Sequence, residues 1–313
     1  MAGLREIKSR IKGIEDTKKI TSAMYMIAST KMKKARQTLE ATEPYFYTLQ
    51  STIDRILRHI PSDMEHIYFG NPDYAQRKIG LLVITDDKGL AGSYNHNILK
   101  IAQNFLDQKK IQVKLFVVGE LGRQYFAARR VPIQENFQYT VQNPTFNRAR
   151  WISEILLEKY HCGEINELHV LYTRMENGTQ SVAEDKRLLP LRRPSVAEVP
   201  VDVYHEDFLL LPSAEKAIDT IIPNAITGFI YGALVQSYCA AHNARMMAME
   251  TATNNADDLL RELRIMYNRA RQTMITQEIT EVSGGAKAQR SRKKSRKSMA
   301  RESAANEWKW EIM

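Results

Sequence analysis

The sequence predicts a mixed α/β fold, in which a long antiparallel coiled coil of N- and C-terminal helices carries an α/β domain. Helical patterns cover residues 3–57 and 224–281, and short apolar runs alternate with helical stretches between them. At about 1.5 Å per residue, each end helix would reach roughly 80–90 Å, which is far more than a compact domain requires. Helices of this length need a partner, so the simplest arrangement folds the chain back and pairs them antiparallel.

The N-terminal segment, residues 1–60, has the spacing of a coiled-coil helix. Its first apolar residues step by three, four and three positions: Leu4, Ile7, Ile11 and Ile14. Beyond Thr17 the apolar stripe becomes thinner, and small or flexible residues replace bulky ones. Met24 lies in this thinner part, where methionine can pack against an irregular or changing surface. Ordinary filling of the core explains any single methionine equally well.

From Ile79 onward, short apolar runs alternate with helical stretches, which predicts βαβ units on a mainly parallel sheet. We place this Rossmann-like α/β domain at residues 75–208. The predicted strands are Gly80–Thr85, Val113–Val118 and Glu167–Tyr172, with Leu188–Leu191 and Val199–Tyr204 as further candidates. The predicted helices between them are Ser93–Gln108, Glu120–Ala128 and Ala149–Tyr160.

The C-terminal segment, residues 213–286, is predicted to be the second coiled-coil helix. We expect a short helix at its start that is broken or kinked at Pro223, followed by an uninterrupted one. Small residues dominate positions 225–256, so this helix can approach another helix closely or turn inside a narrow sleeve. Near its end, polar residues interleave with apolar ones such as Ile275. This mixture indicates a surface that is enclosed by protein and contacted by polar groups.

Charge and cysteine content indicate which kinds of partner and which compartment the sequence is compatible with. The chain has 313 residues and a formal net charge of +9, and cations are concentrated in residues 1–40 and 287–301. Such ends suit an acidic protein surface, nucleic acid or anionic lipid, and charge alone does not distinguish these partners. Two cysteines far apart provide no disulfide framework or CxxC motif, which favours a reducing compartment. The N-terminus lacks the apolar region of a signal peptide, so we expect the protein to start as written.

The segment DDKGLAGSYN, residues 86–95, follows a predicted strand and opens a helix, where phosphate-binding loops are found. Its glycines match neither GxGxxG nor GxxxxGK[ST], and no acidic residue at the usual offset completes a ribose contact. We therefore interpret it as a turn that joins strand to helix. His96 and the other histidines and carboxylates show no metal-ligand or nucleophile spacing. We predict no catalytic, cofactor-binding or metal-binding residue in this chain.

Two long motifs stand at opposite ends of the chain. They are REIKSRIKGIEDTKKITSAMYMIASTKMKKA at residues 5–35 and ARMMAMETATNNADDLLRELRIMYNRARQTMITQEITEVSGGA at residues 244–286. Both resemble the γ subunit of F-type ATP synthase, the central rotor stalk of F1. In the middle, TDDKGLAGSYN (85–95) and VGELGR (118–123) resemble the loops that follow the first two central strands in that family. The similarity spans about residues 3–288.

The resemblance implies a noncatalytic rotor shaft in the bore of a hexamer of alternating F1 α and β subunits (α3β3). It implies further contacts with the ε subunit and the Fo c-ring, with coupling to proton or sodium flow. Peripheral association with the cytoplasmic side of a bacterial cell membrane would follow through Fo. By position in the family's motifs, six residues would touch the catalytic subunits: Met24, Arg245, Arg271, Gln272, Thr276 and Glu278. For each of them, an ordinary surface position of a coiled coil is the alternative.

Residues 287–313 lie largely outside the resemblance, and we expect a basic flexible tail there. Eight cations without an acid in residues 287–301 oppose a compact fold, although most residue types present are good helix formers. Trp308 and Trp310 could anchor the end of this tail to a partner.

Two other classes of function compete with the rotor. A basic coiled-coil nucleic-acid-binding protein would group its cations on one face beside exposed aromatics. The first 40 residues instead spread their cations around a helix and contain Tyr25 as their one aromatic residue. A nucleotide-dependent α/β enzyme is the third class, and the missing phosphate loop argues against it. We therefore expect no nucleic-acid partner and no cofactor.

Overall fold

The computed structural model describes residues 2–60, 64–69, 77–108, 112–176, 180–191 and 213–310. In chain order the elements are α1 (Ala2–His59), β1 (Lys78–Ile84), α2 (Tyr94–Leu106), β2 (Gln112–Val118), α3 (Glu120–Ala128), α4 (Phe146–His161), β3 (Glu167–Met175), β4 (Ser181–Leu189) and α5 (Ala214–Trp310). The chain divides into two compact units. We call residues 22–251 the globular unit, and residues 1–21 together with 252–313 the terminal unit.

A four-stranded sheet with the order β2-β1-β3-β4 lies in the globular unit. β1 pairs parallel with both β2 and β3, whereas β4 runs antiparallel to β3. The mainly parallel sheet, its three parallel strands and the three helices α2, α3 and α4 agree with the sequence prediction. The predicted α/β fold class is therefore confirmed.

β1 is buried on both faces because its side chains alternate between two cores. Leu82 and Ile84 belong to a core that includes side chains from α1, α4 and α5. Ile79, Leu81 and Val83 pack on the opposite face with side chains from α2 and α3. A strand covered on both sides requires a continuous apolar run, and this is the pattern by which the sequence predicted it.

Strand β4 differs from its prediction. It spans Ser181–Leu189, whereas the apolar pattern placed a strand at Leu188–Leu191. Four consecutive charged residues at 184–187 lie in the observed strand. Among the described strands, its partner is β3 alone, so β4 is an edge strand that tolerates charges and lacks an apolar run. The other candidate strand, Val199–Tyr204, lies outside the described residues.

Helix α5 continues through Pro223, so the expected break is wrong, whereas the alternative of a kink at Pro223 stays a prediction. Proline removes one main-chain hydrogen bond from the helix. One turn away, the Asn224 side-chain amide donates to the Thr220 carbonyl oxygen at 2.9 Å. Ile222 and Ile226 on either side are buried in the core. Tertiary packing of this kind stabilises helices more than local propensity does, which explains why the helix persists.

Helix α5 also continues beyond residue 286, where the sequence was expected to give way to a flexible tail. The helix ends at Trp310. Every side chain from 287 to 297 is exposed, so the good helix propensity of these residues, not packing within the chain, accounts for the helix. The flexibility of this tail in solution stays a prediction.

The part of α5 that is rich in small residues lies in the core of the globular unit. Most side chains from 226 to 245 are buried there, including Gly228, Gly232, Ala240 and Ala241. Their small size therefore serves close approach within this chain. By length and composition, one window of α5 is apolar enough to cross a membrane, but 56% of that window is buried inside the protein, as in a core helix.

In the terminal unit, the first turns of α1 pair with α5. Moving forward along α1 means moving backward along α5, which confirms the predicted antiparallel coiled coil in this part of the chain. The three contacts that define the direction are Glu15 with Arg264 at 3.0 Å, Lys18 with Asp257 at 2.6 Å, and Thr21 with Thr253 at 2.8 Å.

The burial pattern of the terminal unit shows the heptad seam directly. The apolar side chains of α1 that are half-buried in this unit are Leu4, Ile7, Ile11 and Ile14. On α5, the covered side chains recur every three or four positions from Thr253 to Met274. From 275 to 297 every side chain of α5 is exposed, because the antiparallel register reaches the beginning of α1 near Met274.

Candidate functional site

Residues 271–282 of α5, which we call the distal surface, form the first candidate site. Four of the six predicted contact residues lie here, and all four are exposed: Arg271, Gln272, Thr276 and Glu278. The Thr276 hydroxyl donates to the main-chain oxygen of Gln272 at 2.9 Å, so it is already engaged within the helix. The Arg271 guanidinium, the Gln272 amide and the Glu278 carboxylate face solvent and can bind a partner.

An apolar stripe accompanies these polar groups on the distal surface. Ile275 is 42% exposed, Ile279 64% and Val282 73%. Their spacing of four and three positions places them along one face of the helix. Large aliphatic side chains that stay exposed next to charged and amide groups are typical of a protein-binding surface. Sequence analysis named Ile275 as interleaved with the polar set and did not single out Val282.

Met24, the fifth predicted contact residue, is half-buried on α1. Its neighbours Met26 and Ile27 are far more exposed, at 68% and 58%. Met24 and Ala28 belong to the apolar seam, whereas Met26 and Ile27 lie off it. Sequence reasoning did not propose these two residues as contacts, although apolar side chains outside the seam were a usable signal. They give this part of α1 an apolar surface in the globular unit.

Arg245, the sixth predicted contact residue, is only 7% exposed, and its contact with a catalytic subunit stays a prediction. Its guanidinium forms an ion pair with the Asp86 carboxylate. It also donates to the carbonyl oxygens of Lys88, at 3.0 Å, and Gly89, at 3.2 and 3.3 Å. Its Nη1 lies 3.2 Å from His242 Nδ1. The described partners of Arg245 thus belong to its own chain.

Contact with Arg245 fixes the protonation state of His242. A guanidinium has no acceptor, so His242 Nδ1 must accept the hydrogen bond and carries no proton. Burial, together with the neighbouring Arg245 charge, lowers the pKa of His242 to about 4. The imidazole is therefore neutral near pH 7, and its ring packs edge-on against Tyr238 with 4.5 Å between centroids.

The loop after β1 is bound to the end of the sheet. The Asp87 carboxylate accepts main-chain N–H groups of Glu120 and Val141, each at 3.1 Å. Gly119 has a φ of +97°, and a Cβ added there would lie 2.2 Å from the Thr85 carbonyl oxygen, so the close approach requires glycine. The interpretation of DDKGLAGSYN as a turn between strand and helix is confirmed.

The paired ends of the two long helices, the α/β sheet and the exposed distal surface define a helical stalk subunit of a larger protein assembly. A family model described as ATP synthase matches residues 3–289 of the chain. A curated ATP synthase gamma chain from Ruminiclostridium cellulolyticum is 40% identical to it over 292 residues. That alignment covers 91% of this chain and 98% of the relative. The chain therefore belongs to the ATP synthase gamma chain family.

Further comparisons agree with this assignment. An ATP synthase gamma chain from Caldanaerobacter subterraneus subsp. tengcongensis is 38% identical over 297 residues, covering 91% of this chain and 99% of that protein. The rotor of Euglena gracilis mitochondrial ATP synthase has the same fold, with a TM-score of 0.60, 17% identity and coverage of 88% of this chain and 99% of that chain. The central-stalk role implied by the end motifs is confirmed by the family, and nothing in the comparisons supports the nucleic-acid alternative.

Proposed function

We propose that this central stalk couples rotation to ATP synthesis and hydrolysis through direct contact of its distal surface with F1 α and β subunits. The observation that carries the proposal is the change at Met274. From Thr253 to Met274, α1 covers one face of α5. After Met274, polar groups and an apolar stripe stand exposed on a single helix. A helix inserted into an α3β3 hexamer needs a surface of this kind, because only exposed groups can report its angle to surrounding subunits.

The paired helices supply the stiffness that a rotor needs. Ion pairs across the pair, such as Lys18 with Asp257, are partly exposed and contribute only about 0.2–1 kcal/mol each. The apolar seam, with Ala256 and Leu260 each 5% exposed, therefore contributes most of the stability. Burial of apolar area is roughly additive along the seam, so a long pair resists separation even though each layer is weak.

Rotation also requires contacts that can be released. Hydrogen bonds that Arg271 and Gln272 donate to a partner, or that Glu278 accepts from one, would each contribute about 0.5–3 kcal/mol, the higher values applying to charged groups. Contacts of this size discriminate between rotor angles without locking the rotor in one of them. None of the three residues performs chemistry on the nucleotide. They are coupling contacts in this proposal.

We further propose contacts with the ε subunit and the Fo c-ring, and a peripheral position on the cytoplasmic side of a bacterial cell membrane. The curated relatives are bacterial gamma chains. A chain of the Tetrahymena thermophila mitochondrial ATP synthase central stalk and c-ring shares the fold, with a TM-score of 0.55, 20% identity and coverage of 74% of this chain and 99% of that chain. Proton and sodium coupling are equally compatible with the proposal.

Reconstitution tests the proposal. The α and β subunits are combined with and without this chain, and ATP hydrolysis and rotation of a probe fixed to the chain are recorded. We expect a stable complex that contains the chain and rotates the probe during hydrolysis. A chain that stays outside the α and β complex, or copurifies with nucleic acid instead, would contradict the proposal.

A further inference from the structure

Arg245 occupies the place where open α/β sheets bind their ligands. Such sheets bind ligands in the crevice outside the carboxyl ends of their strands, beside the loop after the first strand. In this chain the loop after β1 holds Asp86, and the Arg245 side chain enters it from α5. The Arg245 side chain is 9% exposed, and the Asp86 side chain is 3% exposed. The crevice is thus filled by an attachment between the sheet and a helix.

The attachment at Arg245 is directional. The Arg245 guanidinium binds the Asp86 carboxylate and two main-chain carbonyl oxygens, those of Lys88 and Gly89. Both charges of the ion pair are removed from water, so loss of either partner leaves an uncompensated buried charge. Planar guanidinium geometry fixes the orientation as well as the distance of the bound groups. The helix cannot turn about its axis or slide at this point without breaking several hydrogen bonds.

A second attachment lies about two turns earlier on α5. The Tyr94 hydroxyl donates to the Ser237 carbonyl oxygen at 3.1 Å, and Ser237 Oγ accepts the Thr173 N–H of β3 at 3.2 Å. Ala91 of the same loop packs in a small cluster with Ala240. Helix α5 is therefore held to the loop after β1 at two levels and to the sheet at one.

We propose that the Asp86–Arg245 pair, supported by the Tyr94–Ser237 contact, is a clamp that passes torque between helix α5 and the sheet of the globular unit. The proposal rests on the proposed function as a rotor. Apolar packing is non-directional, and next to the clamp the small side chains Ala240 and Ala241 offer shallow ridges, so packing at this level resists slip of the helix poorly. Arg245 and Asp86 are positioning residues for coupling, since their described contacts are all within this chain.

The test uses the complete ATP synthase in sealed vesicles, with the variants Arg245→Lys and Asp86→Asn. Lysine keeps the charge but loses the fork, and asparagine keeps the shape but loses the charge. We expect the assembled variants to pump at least threefold fewer ions per ATP hydrolysed than wild type. A merely structural role would lower the amount of complex and leave this ratio unchanged.

A matched control is available in the same domain. Arg77 makes two hydrogen bonds to the Glu167 carboxylate, at 2.5 and 2.6 Å, and neither residue belongs to α5. Arg77→Lys removes a two-pronged Arg–carboxylate contact at a more exposed position, and we expect its pumping ratio to equal that of wild type. If Arg245→Lys and Asp86→Asn assemble and pump normally per ATP, the clamp is refuted. A wild-type chain that does not couple at all would overturn the proposed function itself.

Tyr94→Phe keeps the test decisive if the charged variants fail to assemble. It removes a single hydroxyl from the second attachment and preserves the apolar packing of the ring. We expect a loss of about 1.5- to 2-fold in ions pumped per ATP, with unchanged thermal stability of the complex. In that case, a normal ratio for Tyr94→Phe would refute the clamp.

Discussion

At the scale of single residues, Gly119 has the tightest backbone environment near the sheet end. Its φ is +97°, and a Cβ would meet the Thr85 carbonyl oxygen at 2.2 Å and the Thr85 hydroxyl at 2.6 Å. We expect Gly119→Ala to lower the free energy of unfolding by about 3 kcal/mol or more, because backbone strain and overlap with main-chain atoms add together. Urea unfolding of the purified chain measures the loss.

Gly163 provides the control for this prediction. It also has a positive φ, +69°, but a Cβ there would meet nothing within 4 Å. Gly163→Ala should therefore show only the left-handed backbone penalty, about 1 kcal/mol. Equal losses in the two variants would mean that the close approach to Thr85 is unimportant for stability.

The lowered pKa of His242 predicts that the free energy of unfolding depends on pH. Its pKa falls from an ordinary value of 6.5 to about 4 in the folded chain, so below pH 6.5 the unfolded state binds the proton more readily. The stabilisation is fully present above pH 6.5 and is lost as pH falls toward 4. We expect a loss of about 2 kcal/mol over this range, after allowance for partial solvent access.

The measurement compares urea unfolding of wild type and His242→Gln between pH 7 and 4. Glutamine offers a carbonyl oxygen to Arg245 and does not titrate. The contributions of the other ionisable groups to the pH profile are the same in both proteins, so they cancel in the comparison. Parallel pH profiles for the two proteins would show that His242 does not carry this dependence.

The exposed residues of the distal surface were accessible to sequence reasoning, whereas the ion pair of Arg245 was not. Arg271 and Thr276 were chosen by their positions in the family's motifs. Arg245 and Asp86 are 159 positions apart, and no local spacing marks such a pair. Its burial depends on how α5 docks against the loop after β1, which is a property of the tertiary fold.

At the scale of elements, the distal surface should matter for the assembled enzyme rather than for the fold. The double variant Gln272→Ala and Thr276→Ala changes exposed side chains on a good helix. We expect the isolated chain to keep its helix content, with stability changed by less than about 0.5 kcal/mol. ATP turnover of the reconstituted complex should fall, because partner hydrogen bonds are lost.

Another exposed pair on the same helix serves as the control. Gln289→Ala and Ser291→Ala lie beyond the distal surface and should leave turnover unchanged. The outcome that would reverse the assignment is a large loss of thermal stability in the isolated chain, with normal turnover after assembly.

Deleting residues 289–313 should preserve assembly and most of the turnover. The seam ends at Met274, and the family match ends at residue 289. The removed part of α5 therefore contributes little to the helix pair. Size-exclusion chromatography and ATP hydrolysis of the truncated complex measure the effect, and a truncated chain that cannot assemble would show that the tail is structural.

Among the elements, the buried strand β1 was easier to predict from the sequence than the edge strand β4. β1 was found because both of its faces are covered and its sequence is continuously apolar. β4 was placed incorrectly because an edge strand is stabilised by pairing with β3, which charged residues such as Lys186 do not prevent. The Pro223 helix break was wrong for a related reason, since core packing outweighs the local preference of proline.

For the whole molecule, we expect no ATP hydrolysis by the isolated chain. The end of the sheet that could hold phosphates is occupied by Arg245 and by main-chain hydrogen bonds to Asp87. Phosphate release from purified chain and ATP should equal that of buffer, while the same preparation supports turnover once α and β subunits are added. Steady turnover by the chain alone would disprove this prediction.

The terminal unit has a consequence for how the protein is made. Glu15 binds Arg264 across 249 positions of the chain. Since a ribosome adds about 5–20 residues per second, roughly 12–50 s separate the synthesis of the two partners. The βαβ units can pair strands during this interval, because β1 and β2 follow each other closely in sequence. The first turns of α1 meanwhile display an uncovered apolar seam, which makes the nascent chain a target for chaperones and for mispairing with neighbouring copies on the same messenger RNA.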